Sequence, residues 1–154
     1  MTERREHSYG CWPSSLTAEG VNLDSGEVNF LRADSNGVCF VNSVNGEKDK
    51  QAVWHLSSQG ELNQLSPIRF NVRSRVHEYG GVPYCVHDNI LWFCNLADQA
   101  IYTQELSVDR KPLPADLAEA KAFTPVEPSI AGKLRYADFL IDPNFNRLIC
   151  VRED

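Results

Sequence analysis

The chain has 154 residues, 42 % of them hydrophobic and 23 % charged, with a net charge of −6. That length predicts one domain, and the balance of apolar and charged residues is that of a folded chain rather than a disordered tail. The acidic balance argues against a nucleic-acid binder, because phosphate affinity rests on Lys and Arg, and apolar runs such as Ile90 to Phe93 fall far short of the ~20 residues of a membrane helix.

Residues 1–27 read as an N-terminal extension, and its opening MTERREHSYGCW has no apolar stretch to serve as a secretory signal. Strand signals follow in Val38–Val41, Ala52–Leu56, Pro83–Val86, Ile90–Cys94, Ile101–Leu106, Phe139–Ile141 and Arg147–Val151. Each run is rich in Val, Ile, Tyr, Phe or Trp and bounded by Asn, Asp, Gly, Ser or Pro. Asn36-Gly37, Asn45-Gly46 and Asp88-Asn89 can take the positive φ of tight hairpins. Only 113–123 (LPADLAEAKAF) has helical character, enough for a turn or two. The expected class is all-β.

The strands also repeat. One unit covers about 28–67, a second about 76–125, and a third begins at about 134 and reaches 154. Units of about 40–55 residues with three or four short strands have the period of a β-propeller blade. The expected architecture is therefore a partial β-propeller of about two and a half blades, with a compact sandwich of six or seven strands as the competing fold. An incomplete ring leaves strand edges unpaired, so self-association through open blade edges is expected of the chain alone. The length itself suggests the N-terminal piece of a larger protein.

Five cysteines form no C-x-x-C pair, and four of them (Cys39, Cys85, Cys94, Cys150) lie in apolar runs, where a free thiol acts as a small hydrophobe. A reducing, cytoplasmic setting fits that pattern. No G-x-S-x-G elbow, G-x-G-x-x-G or Walker loop occurs. His77-Glu78 opens like a zinc-protease motif, but Gly81 stands where the second His is needed. No catalytic residue, metal site or cofactor is expected in this chain.

The densest polar cluster is Ile68 to Gly81, IRFNVRSRVHEYGG. If extended, it puts Asn71, Arg73, Arg75, His77 and Tyr79 on one face and Phe70, Val72, Ser74, Val76 and Glu78 on the other. Arg73, Arg75 and His77 could hold a carboxylate or peptide carbonyl, and Glu78 an amine. The alternative is that these side chains pair with acids of adjacent blades and fix their register. LRYAD (Leu134 to Asp138) is read as the matching place in the third unit, Tyr136 answering Tyr79, with Arg135 and Asp138 as a blade ion pair or turn anchor. Trp54, Trp92, Phe93, Tyr102 and Phe139 read as inter-blade core, and Asp98 as closing a turn.

The segments YGCWPSSLTAEGV (Tyr9 to Val21), NVRSRVHEYGG (Asn71 to Gly81), FCNLADQAIY (Phe93 to Tyr102) and LRYADFLIDPNFNRLICVRED (Leu134 to Asp154) together resemble the propeller of prolyl oligopeptidase family serine peptidases, the dipeptidyl aminopeptidase and acylaminoacyl peptidase branch. The stretch 41–51 departs from the family pattern, which has a Trp-x-Glu-x-Arg-Pro-like strand end there. The resemblance implies a propeller that caps an α/β-hydrolase active site and gates short peptides, the Ser-Asp-His triad lying in the hydrolase domain outside this chain. Arg73, Arg75, His77 and Glu78 match the propeller motif and are the candidate substrate contacts. The other functional class is a stand-alone interaction module that self-associates or completes a ring with a partner chain.

Overall fold

The computed structural model describes residues 27–44, 47–114, 119–129 and 131–154. The N-terminal extension up to residue 26, the Asn45-Gly46 turn and residues 115–118 of the expected helical turn lie outside the described residues. The described residues contain no helix, and so none long and apolar enough to cross a membrane.

Among the described residues, ten strands form three antiparallel sheets. The first contains β1 (Asn29–Asp34), β2 (Gly37–Val44), β3 (Glu47–Ser57) and β4 (Leu62–Gln64) in sequence order. The second repeats that order with β5 (Tyr84–His87), β6 (Ile90–Cys94), β7 (Ile101–Glu105) and β8 (Lys121–Ala122). The third is the pair β9 (Arg135–Asp142) and β10 (Arg147–Glu153). All seven expected runs fall on strands. The short β1 and β4 lack the dense β-branched signal, and Lys121–Ala122 takes a strand position against Tyr102 and Thr103 instead of ending a helix.

Turn chemistry sets the hairpins. Asp88 and Asn89 both have positive φ, 45° and 58°, the backbone of a two-residue turn that keeps the twist of its flanking strands. At the β1–β2 turn the Asp34 carboxylate accepts from the Asn36 amide at 2.8 Å. Gly37 follows at φ 147°, where a Cβ would collide with the Leu56 carbonyl oxygen.

The middle sheet is buried on both faces. Strand alternation sends Tyr84, Leu91 and Phe93 to one side, where they pack on Cys39, Val41 and Val53 of the first sheet. Cys85, Cys94 and Ile101 go to the other side and meet Phe139, with Ile141, Leu148 and Cys150 around it. Phe70 packs edge-on to Phe93 with ring centroids 5.1 Å apart, and Tyr102 lies 4.6 Å from Phe70. Face-to-face stacking of repeated meanders is a partial β-propeller rather than a two-sheet sandwich. Trp54 departs from the expected core role: it alternates with the buried Val53 and belongs to neither core cluster.

The first strands of the three sheets lie close to one another. The Tyr84 hydroxyl donates to the Phe30 carbonyl at 2.8 Å, linking β5 to β1. The Asp138 carboxylate accepts from the Val82 amide, and the Asp138 amide donates to the Val82 carbonyl, each at 2.9 Å. Asp138 is the extra residue of a bulge in β9, at φ 59°.

Candidate functional site

The polar cluster lies between the first and second sheets, and its alternation is followed only in part. Phe70, Val72, Ser74 and Val76 are buried while Arg73 and Arg75 are exposed, as an extended segment requires. Yet it is not a strand: Val72 makes a single bridge to Asn95. The alternation ends at Val76, because His77 and Glu78 both take positive φ, 55° and 64°. Glu78 therefore leaves the buried face on which the pattern placed it and turns outward. The turn is closed by the Glu78 amide on the Arg75 carbonyl at 3.0 Å and the Gly80 amide on the Val76 carbonyl at 2.9 Å.

Neighbouring sheets hold this segment through backbone bonds. Asn71 accepts from the Gln51 amide at 3.0 Å and donates to the Asp49 carbonyl at 2.9 Å, tying the segment to β3. On the other side Gln99, fully buried, accepts from the Arg75 amide at 2.8 Å and donates to the carbonyls of Arg73 and Leu96. Asp98 accepts from the Ala100 amide, the Asn95 amide group and the Tyr102 hydroxyl, the last at 2.7 Å. It closes its turn as expected, and burial followed by this bond pushes the Tyr102 phenol up to about 12. Gln99 carried no sequence signal, since a lone glutamine in a loop has no periodicity to mark it.

At the outer end of the segment Arg135, at the start of β9, reaches three acceptors: the Glu78 carboxylate at 2.6 Å, the Arg75 carbonyl at 3.2 Å and the Glu153 carboxylate at 3.4 Å. Glu153 also accepts from the His77 amide at 2.9 Å, and the His77 ring stands 4.0 Å from the same carboxylate. The guanidinium bond holds the Glu78 carboxyl below its ordinary range, with Arg75 adding a smaller pull, and Glu78 in turn raises Arg135. Together Glu78, Arg135 and Glu153 line an open cleft of about 700 Å³ with Gly132, Lys133, Leu134 and Asp154.

The four candidate residues thus have unequal surroundings. Glu78 and His77 are engaged by the third sheet. The Arg73 and Arg75 side chains make no hydrogen bond or ion pair with another described residue, while their backbones are clamped by Gln99. Arg135 is an inter-sheet ion pair and Asp138 a backbone anchor, as read from LRYAD. The pairing of Tyr136 with Tyr79 does not hold: Tyr136 packs on the second core from within β9, whereas Tyr79 is 94 % exposed on a turn. Glu153 was missed because its partners lie 76 and 18 residues away in sequence. No group of three or more His, Cys, Asp or Glu able to hold a metal ion exists among the described residues.

No protein-family model matches the chain, and neither does any curated protein sequence. Solved structures do match. A puromycin-hydrolysing peptidase of Mycobacterium tuberculosis superposes with a TM-score of 0.72 and 27 % identity over 97 % of this chain and 22 % of its own. A puromycin hydrolase aligns at TM-score 0.66 and 27 % identity over 92 % of this chain and 21 % of its own, as does a mutant of puromycin hydrolase complexed with PGG. The chain spans about a fifth of the length of the structures it matches. These neighbours agree with the resemblance carried by the sequence segments, and the chain has the fold of a β-propeller part of prolyl oligopeptidase family peptidases.

Proposed function

We propose that the chain is the non-catalytic propeller part of a cytoplasmic serine peptidase of aminopeptidase, dipeptidyl or acylaminoacyl type, in which it caps the hydrolase active site and gates short peptides. The likeness to puromycin-hydrolysing peptidases over nearly the whole chain carries this reading. It makes cleavage of an aminoacyl amide such as puromycin the activity of the longer protein. The four described cysteines are free, which suits a reducing compartment.

Within that role Arg73 and Arg75 are the proposed contacts for a peptide carboxylate or carbonyl, since their guanidiniums make no hydrogen bond or ion pair with another described side chain. Glu78 and His77 are proposed at the same mouth, Glu78 receiving an amine in exchange for part of its bond to Arg135. Catalysis itself requires a hydrolase domain, so the 154-residue chain alone is expected to be inert.

Two measurements test this. An immunoblot of source cells against this segment should give a band of about 60–75 kDa, a closed propeller plus an α/β-hydrolase domain. That protein should cleave aminoacyl-arylamides and puromycin, and Arg73→Ala with Arg75→Ala should raise KM. A band at the 17.4 kDa of the chain, or no effect of the arginines, overturns the respective claim. A second reading is a self-associating interaction module. It is favoured by one observation: the third sheet exposes Leu140, Ile149 and Val151 at 59, 45 and 38 %.

A further inference from the structure

We propose that the turn over residues 107–111 is a pH-sensitive strap, closed on the first sheet while His55 is neutral and lifted from it when His55 takes a proton. The Asp34 carboxylate changes partner in the exchange, holding Arg110 in the closed form and His55 in the lifted one. This device goes beyond the peptidase reading and does not depend on it.

The strap leaves the second sheet after β7 and is closed on itself. A bridge between Leu106 and Pro112 forms its neck. Within it the Ser107 amide donates to the Lys111 carbonyl at 2.8 Å and the Arg110 amide to the Ser107 carbonyl at 3.0 Å, with Val108 exposed at the tip. Two ion pairs carry it to the first sheet: Arg110 Nη2 to Asp34 at 3.0 Å, and Lys111 to Glu61 of the β3–β4 turn at 2.8 Å. Arg110 is buried, yet its Nε and Nη1 make no hydrogen bond among the described residues. A buried guanidinium held through one nitrogen is incompletely compensated for its lost water, and that cost works against the closed strap.

His55 is buried in the wall of a polar cavity of about 490 Å³ between the strap and the turns of the first sheet. On its other side the ring is wedged, with Nε2 2.8 Å from where a Cβ on Gly37 would sit. It is faced by Asp34 from the end of β1, by Cys39 across the ladder on β2, by Asn63 on β4 and by Arg110 from the strap. The Cys39 thiol, pushed up to about 11 by burial, stays neutral. Glu61, Asp109 and Lys111 line the same cavity. Burial disfavours the charged ring most, Asp34 favours it, and Arg110 disfavours it, so that its pKa is lowered. Lifting the strap hydrates the ring and takes Arg110 away, while Asp34 stays beside it on β1. Protonation therefore favours the lifted form. With the lifted ring at its ordinary 6.5, the lifted fraction grows about tenfold between pH 7.5 and 5.5.

Trypsin reads the strap directly, because it must take the Arg110 side chain into its own pocket, and Pro112 blocks the next bond. The full chain is digested under single-hit conditions at pH 7.5 and 5.5, and the fragments are mapped by mass spectrometry. Cuts after Arg110 are divided by cuts after the exposed Lys133, which cancels the pH dependence of trypsin itself. The ratio should rise about tenfold at the lower pH. In His55→Gln, which cannot take the proton, it should stay level. In Asp34→Asn the side chain still accepts from the Asn36 amide but Arg110 loses its carboxylate, so the ratio should be high already at pH 7.5. A level ratio in the full chain, a rise that persists in His55→Gln, or a rise that comes with loss of the far-UV circular dichroism of the sheets overturns the proposal. Should His55→Gln fail to fold, Asp34→Asn decides, and an unchanged ratio at pH 7.5 overturns it.

Discussion

At the scale of single residues, buried polar groups set the chain's sensitivities. Gln99 holds three backbone groups from within the protein, and Gln99→Leu strands the Arg75 amide and two carbonyls without their partner. A loss of about 2–3 kcal/mol in unfolding free energy is expected, measured by urea denaturation. His55 is 1 % exposed and sits among Asp34, the Asn36 backbone and Arg110. Burial lowers its pKa from 6.5, so the unfolded chain binds the proton more readily. Its contribution is complete above pH 6.5 and is lost as the pH falls toward the lowered folded value, whereas that of Glu78 is lost only below 4.5. Melting temperature should therefore fall between pH 7 and about 5, and His55→Phe should flatten that slope while leaving the steeper acid limb.

At the scale of elements, turns and edges decide where each strand begins and which way it faces. Gly37→Ala places a methyl group against the Leu56 carbonyl at a φ of 147° that favours glycine, and should cost about 1–3 kcal/mol or more. Thermal melts of the variant check it, with Gly60→Ala, where a Cβ meets open space, as the comparison for positive φ without a clash. Burial on the strand faces also governs the thiols. Cys39 is pushed up to about 11, and Cys85 and Cys94 to about 12, with desolvation the main cause. All three should resist iodoacetamide at pH 8 in the folded chain and react once denatured, with mass spectrometry reading the sites.

At the scale of the whole molecule, the chain is two cores sharing one sheet. Phe139 anchors the second core, and Phe139→Ala should cost about 3–5 kcal/mol there. Because the first core is built from the other face of the middle sheet, hydrogen exchange should accelerate through β9 and β10 while β2, β3 and β6 stay protected. Uniform acceleration across all three sheets would show instead that they melt as one unit. The turn at 76–79 should follow the third sheet, since its His77 amide and Glu78 carboxylate are held by Glu153 and Arg135.

The sequence by itself determined the strand runs, the Asp88-Asn89 turn and the repeat. A period of two and positive-φ dipeptides are local properties that do not depend on what lies across the core. It also carried the exposure of Arg73 and Arg75, which follows from alternation alone. Tertiary structure decided the rest. Glu78 left its predicted face because two successive positive-φ residues, stabilised by groups from the third sheet, broke the pleat. The short β1, β4 and β8 are strands only because a longer neighbour supplies their hydrogen bonds, so no propensity within them could announce it. Gln99, Arg135 and Glu153 came to the candidate site because stacking sheets brings sequence-distant residues together, and that proximity is written in no single segment.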